Sequence, residues 1–397
     1  MSAPAPKYTG CCARLPTRGW RCCSPAPIST RFWVSASACS SSTATDWCTK
    51  RRRGRSPATG SPNGSHMADL SVNDVAARQG SAQPAKGGGR AWLRRAAPFL
   101  PILALAGVAA LTVDGFGTAP NLIAVVQASA ITGIAAIGTA AITISGKFVS
   151  LAIEQQAVTA AYIFAAAVSA GQPALVAVLL AFAAAVLLGG AQGYLVSRGL
   201  NPIVTTLAFG SVLFGSVVML ADNRTITLSP NPIAWLGGGT TFGIPNQAIV
   251  FAVLLVLGSL FLSRTKLGRQ MVLTGANARA ADLVGVPTRR IVVFAFVAAA
   301  LAAALVGILV VGQVSQAKSD MFRGLTIDVV AAILVGGIAI QGGEGQLWRA
   351  GFGAIVLTML GNIMLLLGID AGVRDLIKGL LAGGVLLSMT LLKARNP

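Results

Sequence analysis

The stretch IVVFAFVAAALAAALVGILVVG, residues 291–312, runs through 22 positions without a charged side chain. As a helix it spans about 33 Å at 1.5 Å per residue, enough for the roughly 30 Å of hydrocarbon in a bilayer. Apolar runs of the same kind recur on both sides of it, separated by short polar punctuation. They place spans at 97–113, 122–144, 151–170, 173–196, 203–221, 247–263, 291–312, 326–340, 351–367 and 376–392, ten in all. Glu154 and Asp328 interrupt the third and eighth. Gly and Ala dominate these runs, with 46 Gly in the chain, and small residues let helices pack closely in lipid. A β-barrel would alternate apolar and polar residues in short segments, which these runs do not. The expected fold class is all-α, a polytopic membrane bundle of about ten helices.

Composition agrees. The chain has 397 residues, 54% hydrophobic and only 11% charged, against about 25% charged in soluble domains. The net charge of +19 is unevenly spread: residues 1–100 hold 15 of the 31 basic side chains but 3 of the 12 acidic ones. The run Lys50-Arg51-Arg52-Arg53-Gly54-Arg55 has no interleaved aromatics for base stacking, so nucleic acid is not expected as a partner. All six cysteines precede residue 50 without a Cys-x-x-Cys pair, and the single histidine, His66, stands apart from them. A zinc site is therefore disfavoured. With no secretory h-region either, a disulfide framework is not expected. Residues 1–66 read as a disordered extension or as sequence upstream of a true start at Met67. Residues 67–95 read as a polar cytoplasmic tail, and 96–397 as the membrane domain.

Basic residues orient the spans. With the N-terminus inside, the inner segments hold Arg90, Arg94, Arg95, Lys147, Arg198, then Arg264, Lys266, Arg269, Arg279, Arg289 and Arg290, then Arg349, Lys393 and Arg395. The outer side keeps Arg224, Lys318, Arg323 and Arg374, with Lys378 at a helix edge. Both termini are expected in the cytoplasm. The longest outer loop, residues 222–246, is rich in Pro, Asn and Gly and reads as turns rather than a crossing.

The chain offers little catalytic chemistry. It contains no GxxxxGK[ST] phosphate loop, so no nucleotide cofactor is expected on it. Its acids are scattered singly, which disfavours an enzyme built on a paired acid and base. Gln127, Glu154, Gln155, Gln156 and Asn362 are the polar candidates for a translocation pathway. An ionisable group within a span is costly unless paired or wetted, so Glu154 is a functional candidate unless it reaches water at an interface. Lys147 stands seven residues earlier, and direct pairing would need a break in the helix. Asp328 reads as close enough to the outer surface to reach water. The Gly336-Gly337 and Gly342-Gly343-Glu344-Gly345 groups lack the strand-turn-helix context of a nucleotide loop and read as close packing followed by a tight reversal.

The largest inner loop, residues 264–290, contains a short helix-compatible piece at 277–283, stopped by Gly285 and Pro287. Asn277 suits its N-cap. A short helix lying on the inner face fits docking to a soluble partner.

The segment TKLGRQMVLTGANARAADLVGVPTRRI (265–291) resembles the signature loop of the permease subunits of ribose-type ABC importers, the family that also holds branched-chain amino acid permeases. IDVVAAILVGGIAIQGGEGQLWRAGFGAIVLTMLGNIMLLLGID (327–370), PNLIAVVQASAITGIAAIGTAAITISG (120–146) and NPIVTTLAFGSVLFG (201–215) are similar to further blocks of that family, in order. The resemblance implies an inner-membrane permease that moves a sugar or sugar-like solute. It also implies three protein partners: a separate cytoplasmic ABC ATPase, a periplasmic or lipid-anchored solute-binding protein, and a second permease copy, identical or not. By matched position, Asn277, Arg279, Ala280, Ala281, Asp282 and Gly285 would form the ATPase-coupling loop. Two positions depart from the family pattern: Lys147 stands near a missing aspartate, and Phe214 replaces an arginine often found after the TLG-like segment. An ion-coupled secondary transporter is the alternative; it would need mid-membrane coupling carboxylates, for which Glu154 is the obvious candidate.

Overall fold

A computed structural model of the chain describes residues 13–14, 20–21, 107, 113, 115–222, 224–338 and 342–395; the side chains of 386 and 388–395 lie outside that description. The chain divides into two units, Met1–Ala85 and Lys86–Pro397. In the first, β1 (Ala13–Arg14) pairs antiparallel with β2 (Trp20–Arg21). The remainder of the expected extension and tail, and nearly all of the expected span at 97–113, fall outside the described residues.

The second unit holds twelve helices among the described residues. They are α1 (Ala119–Ile144), α2 (Ile153–Ser169), α3 (Ala174–Ser197), α4 (Pro202–Leu220), α5 (Ala234–Gly238) and α6 (Asn246–Arg264). After them come α7 (Lys266–Ala276), α8 (Ala278–Leu283), α9 (Thr288–Val314), α10 (Leu325–Val335), α11 (Leu347–Leu366) and α12 (Ala371–Arg395). Six are long and apolar enough to cross a membrane: α1, α3, α4, α6, α9 and α11. The molecule is a polytopic helical membrane bundle, as its apolar runs imply.

The bundle is organised around α9, which packs against α3, α1 and α2. Its approach to each neighbour is set by missing side chains. Gly189 and Gly193 of α3 lie against Phe296, Val293 and Ala300, and Gly138 of α1 faces Ala302. On the other side of the seam, Gly307 of α9 rests on the backbone of Ala157 and Ala161 in α2. Where lipid removes the hydrophobic drive between helices, such close backbone packing supplies dispersion contact instead.

The two spans that carry acids differ from the rest. The expected span at 151–170 becomes a 17-residue helix that starts at Ile153, after a non-helical segment over residues 145–152. The expected span at 326–340 becomes an 11-residue helix, about 16 Å long, which falls well short of a bilayer. It begins after Gly324, whose φ is +88°, and ends at Gly336-Gly337. α12 has the length to cross but carries Arg374, Asp375 and Lys378 in its first turns.

The segment after α4 folds into turns, not a crossing. β3 (Ile226–Thr227) pairs antiparallel with β6 (Gln316–Ala317), which follows α9. β4 (Thr240–Thr241) and β5 (Ile244–Pro245) form a tight hairpin with Phe242 and Gly243 both at positive φ, the backbone of a two-residue hairpin turn. Asn231 ties this region to α9: its Nδ2 donates to the carbonyls of Val311 (3.2 Å) and Gly312 (3.0 Å) and to Ser315 Oγ (3.0 Å), while its Oδ1 accepts from Ile233 N (3.1 Å).

Candidate functional site

The loop between α6 and α9 is built by two caps and a tie. Thr265 turns the chain out of α6, and its Oγ1 accepts from Gly268 N at 3.0 Å, capping α7. Asn277 separates α7 from α8, and its Oδ1 accepts from the backbone N–H of Arg279 and Ala280, both at 3.1 Å. These bonds satisfy amide groups that a helix start leaves unpaired. Thr288 Oγ1, at the start of α9, donates to Asp282 Oδ1 at 2.6 Å, so α8 is fastened to the long central helix. Gly285, at φ +81°, makes the left-handed turn between them that an L side chain rarely adopts.

The six residues singled out in this loop therefore divide by role. Asn277, Asp282 and Gly285 shape the loop, and Ala281 is buried against the bundle. Arg279 and Ala280 are exposed. Leu283 and Val284, 89% and 75% exposed, complete an apolar tip that residue-type reasoning passed over. The signal was present in ARAADLVG: two aliphatic residues just before a glycine, on a helix too short to bury both.

Behind the loop, three backbones meet without side chains between them. A Cβ on Gly275, near the end of α7, would overlap the carbonyl of Ile144 at the end of α1 and the amide of Gly343. Gly343 N donates to Ile144 O at 3.1 Å. Gly342 and Gly343 adopt φ of +82° and +78°, the tight reversal expected of that glycine group. The end of α7, the end of α1 and the turn that leads into α11 thus meet backbone to backbone, with no flexible side chain between them.

The five pathway candidates do not converge. Glu154, in the first turn of α2, accepts from Gly324 N at 3.2 Å, the amide just ahead of α10. A carboxylate there meets the positive end of the α10 dipole and lies in the favourable first turn of its own helix. The helix break that pairing with Lys147 required is present, yet the partner of Glu154 is this amide. Gln155 faces Gly210 of α4. Gln156 is buried toward α3, its Nε2 donating to Gln192 Oε1 at 3.2 Å. Gln127 accepts from Gln313 Nε2 at 3.2 Å, extending to Gln247, whose Nε2 donates to Gln313 Oε1 at 3.0 Å. Asn362 and Asn121 exchange side-chain hydrogen bonds of 2.8 and 3.1 Å between α11 and α1.

Asp328 is not simply within reach of water. It accepts from Lys378 Nζ of α12 at 2.8 Å, with the two side chains 26% and 16% exposed. Ions held out of water need a partner, and this pair pins the short helix α10 to α12. Among the described residues no cluster of His, Cys, Asp or Glu is suited to hold a metal ion.

A bundle with six membrane-length helices among the described residues, and a capped helix–helix loop fastened to its central member, is that of a multi-pass membrane protein. Residues 121–390 match the family described as branched-chain amino acid transport system / permease component, and the chain belongs to that family. It is similar to the "Probable ABC transporter permease protein YphD" of Escherichia coli K12, at 33% identity over 49% of this chain and 58% of that relative. It is also similar to the ribose import permease protein RbsC of the same strain, at 27% identity over 73% of this chain and 91% of the relative. The L-arabinose transport system permease protein AraH of that strain is 27% identical over 48% of this chain and 58% of the relative. No solved structure matches. The chain is an inner-membrane permease and not an enzyme.

Proposed function

We propose that this chain is the translocating subunit of an ATP-driven importer that moves a sugar or sugar-like solute across the inner membrane. A separate cytoplasmic ABC ATPase drives it, a periplasmic or lipid-anchored binding protein delivers the solute, and two permease copies, identical or not, form the pathway. The observation that carries this reading is the α7–α8 loop: both of its helices N-capped, tied to α9 by Asp282, and presenting Arg279, Ala280, Leu283 and Val284 outward. A soluble ATPase needs a small rigid contact through which to move a membrane helix, and this loop has that form. The ribose and arabinose permeases among its relatives support the solute class.

In this reading the α7–α8 end faces the cytoplasm, in line with the six basic residues from Arg264 to Arg290, and both termini lie on that side. Residues 1–66 stand outside the permease domain, and 67–95 form a cytoplasmic tail. Gln127, Glu154, Gln155, Gln156 and Asn362 contribute polar groups to the interior along which the solute passes. Reconstitution with and without the ATPase tests the proposal. Sugar uptake is expected only with the ATPase and ATP present. Uptake that follows a proton or sodium gradient with no ATPase in the membrane would overturn it.

A further inference from the structure

Toward the α7–α8 end of the bundle, α6 and α9 both pack on α1 but scarcely on each other. The gap between them is an apolar groove of 440 Å³. Ile137, Gly138 and Ala141 of α1 form its floor, and Met271 of α7 and Phe182 of α3 complete its walls. Along α9 the lining runs from Phe294 to Leu305, about 16 Å of helix. That is close to one leaflet of a bilayer whose hydrocarbon is roughly 30 Å thick.

The end of the groove nearer the loop is marked by an aromatic pair. The rings of Phe261 on α6 and Phe294 on α9 stack with centroids 5.7 Å apart. Arg264 follows Phe261 by three residues, and Arg290 precedes Phe294 by four, so each arginine shares a helix face with its phenylalanine one turn nearer the loop. Both arginines are exposed. Neither has an ion-pair partner among the described residues. None of the helices that line the groove carries an acidic side chain. Two unneutralised guanidiniums therefore flank one end of an uncharged slot.

This chemistry selects an occupant. Every lining residue is Ile, Leu, Ala, Gly, Phe or Met, so a polyhydroxylated solute finds no side-chain hydrogen-bond partner and loses those it had in water. Spread along its length, the volume corresponds to a slot roughly 6 Å across, against about 10 Å for a helix with its side chains. A helix of a second copy is too wide, whereas one polymethylene chain fits. The arginine fork matches a phosphate group bidentately, and basic pockets between membrane helices on the cytoplasmic side favour anionic head groups.

We propose that this groove is a binding site for an anionic phospholipid of the inner leaflet. One acyl chain lies in the slot between α6 and α9, and Arg264 and Arg290 hold the head-group phosphate. Through Met271 the bound chain also packs on α7, the helix that leads into the exposed tip at Leu283 and Val284. The choice of leaflet rests on the cytoplasmic placement of this end; the identity of the solute does not enter.

The test uses the full chain in phosphatidylcholine nanodiscs doped with a phosphatidylglycerol that carries a photoactivatable acyl chain. The equivalent phosphatidylcholine probe serves as comparison, and cross-linked peptides are mapped by mass spectrometry. Saturable labelling of α6 and α9 by the phosphatidylglycerol probe is expected, with labelling by the phosphatidylcholine probe about tenfold weaker. Arg264→Gln combined with Arg290→Gln is expected to weaken the apparent affinity about thirtyfold. Arg198→Gln, at the inner end of α3, should leave it within about twofold. Ala298→Leu puts a larger side chain into the slot and should abolish labelling there. Excess inorganic phosphate should not displace the probe. Thermal melts establish that each variant is folded, and the preference between the two probes is read on the unsubstituted chain alone. Equal labelling by the two probes, labelling indifferent to the double arginine variant or to Ala298→Leu, or displacement by inorganic phosphate would overturn the site. So would cross-links that place a second copy or residues 97–112 in the groove. Sugar uptake without the ATPase removes the importer reading and leaves this site in place.

Discussion

The two ends of the bundle are made of different materials. At the α7–α8 end, backbone meets backbone: Gly275, Gly343 and the carbonyl of Ile144 touch with no side chains between them, and the exposed tip is aliphatic. At the opposite end, short strands and side-chain amides hold the chain, with Asn231 alone making bonds to three partners on or after α9. The first arrangement is stiff and chemically bland, suited to passing on a displacement. The second is rich in donors and acceptors that tie separate stretches of chain together. The difference teaches that α9, roughly 40 Å long, joins two ends built differently, by close backbone contact at one and by a hydrogen-bonded network of strands and amides at the other.

The sharpest way to break this comparison is Gly275→Val. The new side chain collides with backbone that cannot give, so a loss of about 3 kcal/mol or more is expected, read as a lower thermal melt in detergent. If Gly275→Val melts normally, the end is less tightly joined than described. At the other end, Asn231→Ala leaves carbonyls of Val311 and Gly312 without their partner, and about 2 kcal/mol of stability is expected to go. Its prediction differs in kind: ATPase association in pull-down should be unchanged, because the loss is remote from α8.

Leu283→Asp probes the aliphatic tip. Stability should stay within about 0.5 kcal/mol, while affinity for the ATPase falls by about 2 kcal/mol if Leu283 is an anchor of that contact. Intact affinity would shift the contact to Arg279 and Ala280. The smallest expected effect is Asn277→Ala, which removes the α8 cap at about 1 kcal/mol. Local hydrogen exchange over residues 278–283 should rise without a large change in the global melt.

Much of the fold could be read directly from the chain. Uncharged runs such as 291–312 locate helices, and helix boundaries fall near Pro, Gly and Asn punctuation. The sequence also marks the two interrupted spans, since Glu154 and Asp328 sit where an unbroken lipid-facing helix would leave them unpaired. Their partners were not legible. Glu154 meets Gly324 N across 170 positions and Asp328 meets Lys378 across 50, and nothing in local spacing announces a contact between distant helices. The division of roles in the loop was hidden differently: Asp282 and Thr288 are only six residues apart, and it is the left-handed turn at Gly285 between them that brings the hydroxyl to the carboxylate.

The sequence by itself determined that this is a multi-pass helical membrane protein with a capped loop on one face, because hydropathy, helix period and capping are local properties of consecutive residues. Tertiary structure decided which polar groups act together. It dispersed the five pathway candidates, paired the two membrane acids, exposed Leu283 and Val284, and set Arg264 and Arg290 at one end of an apolar groove. Those outcomes depend on which helices become neighbours, and that is set by the fit of small residues over the whole bundle.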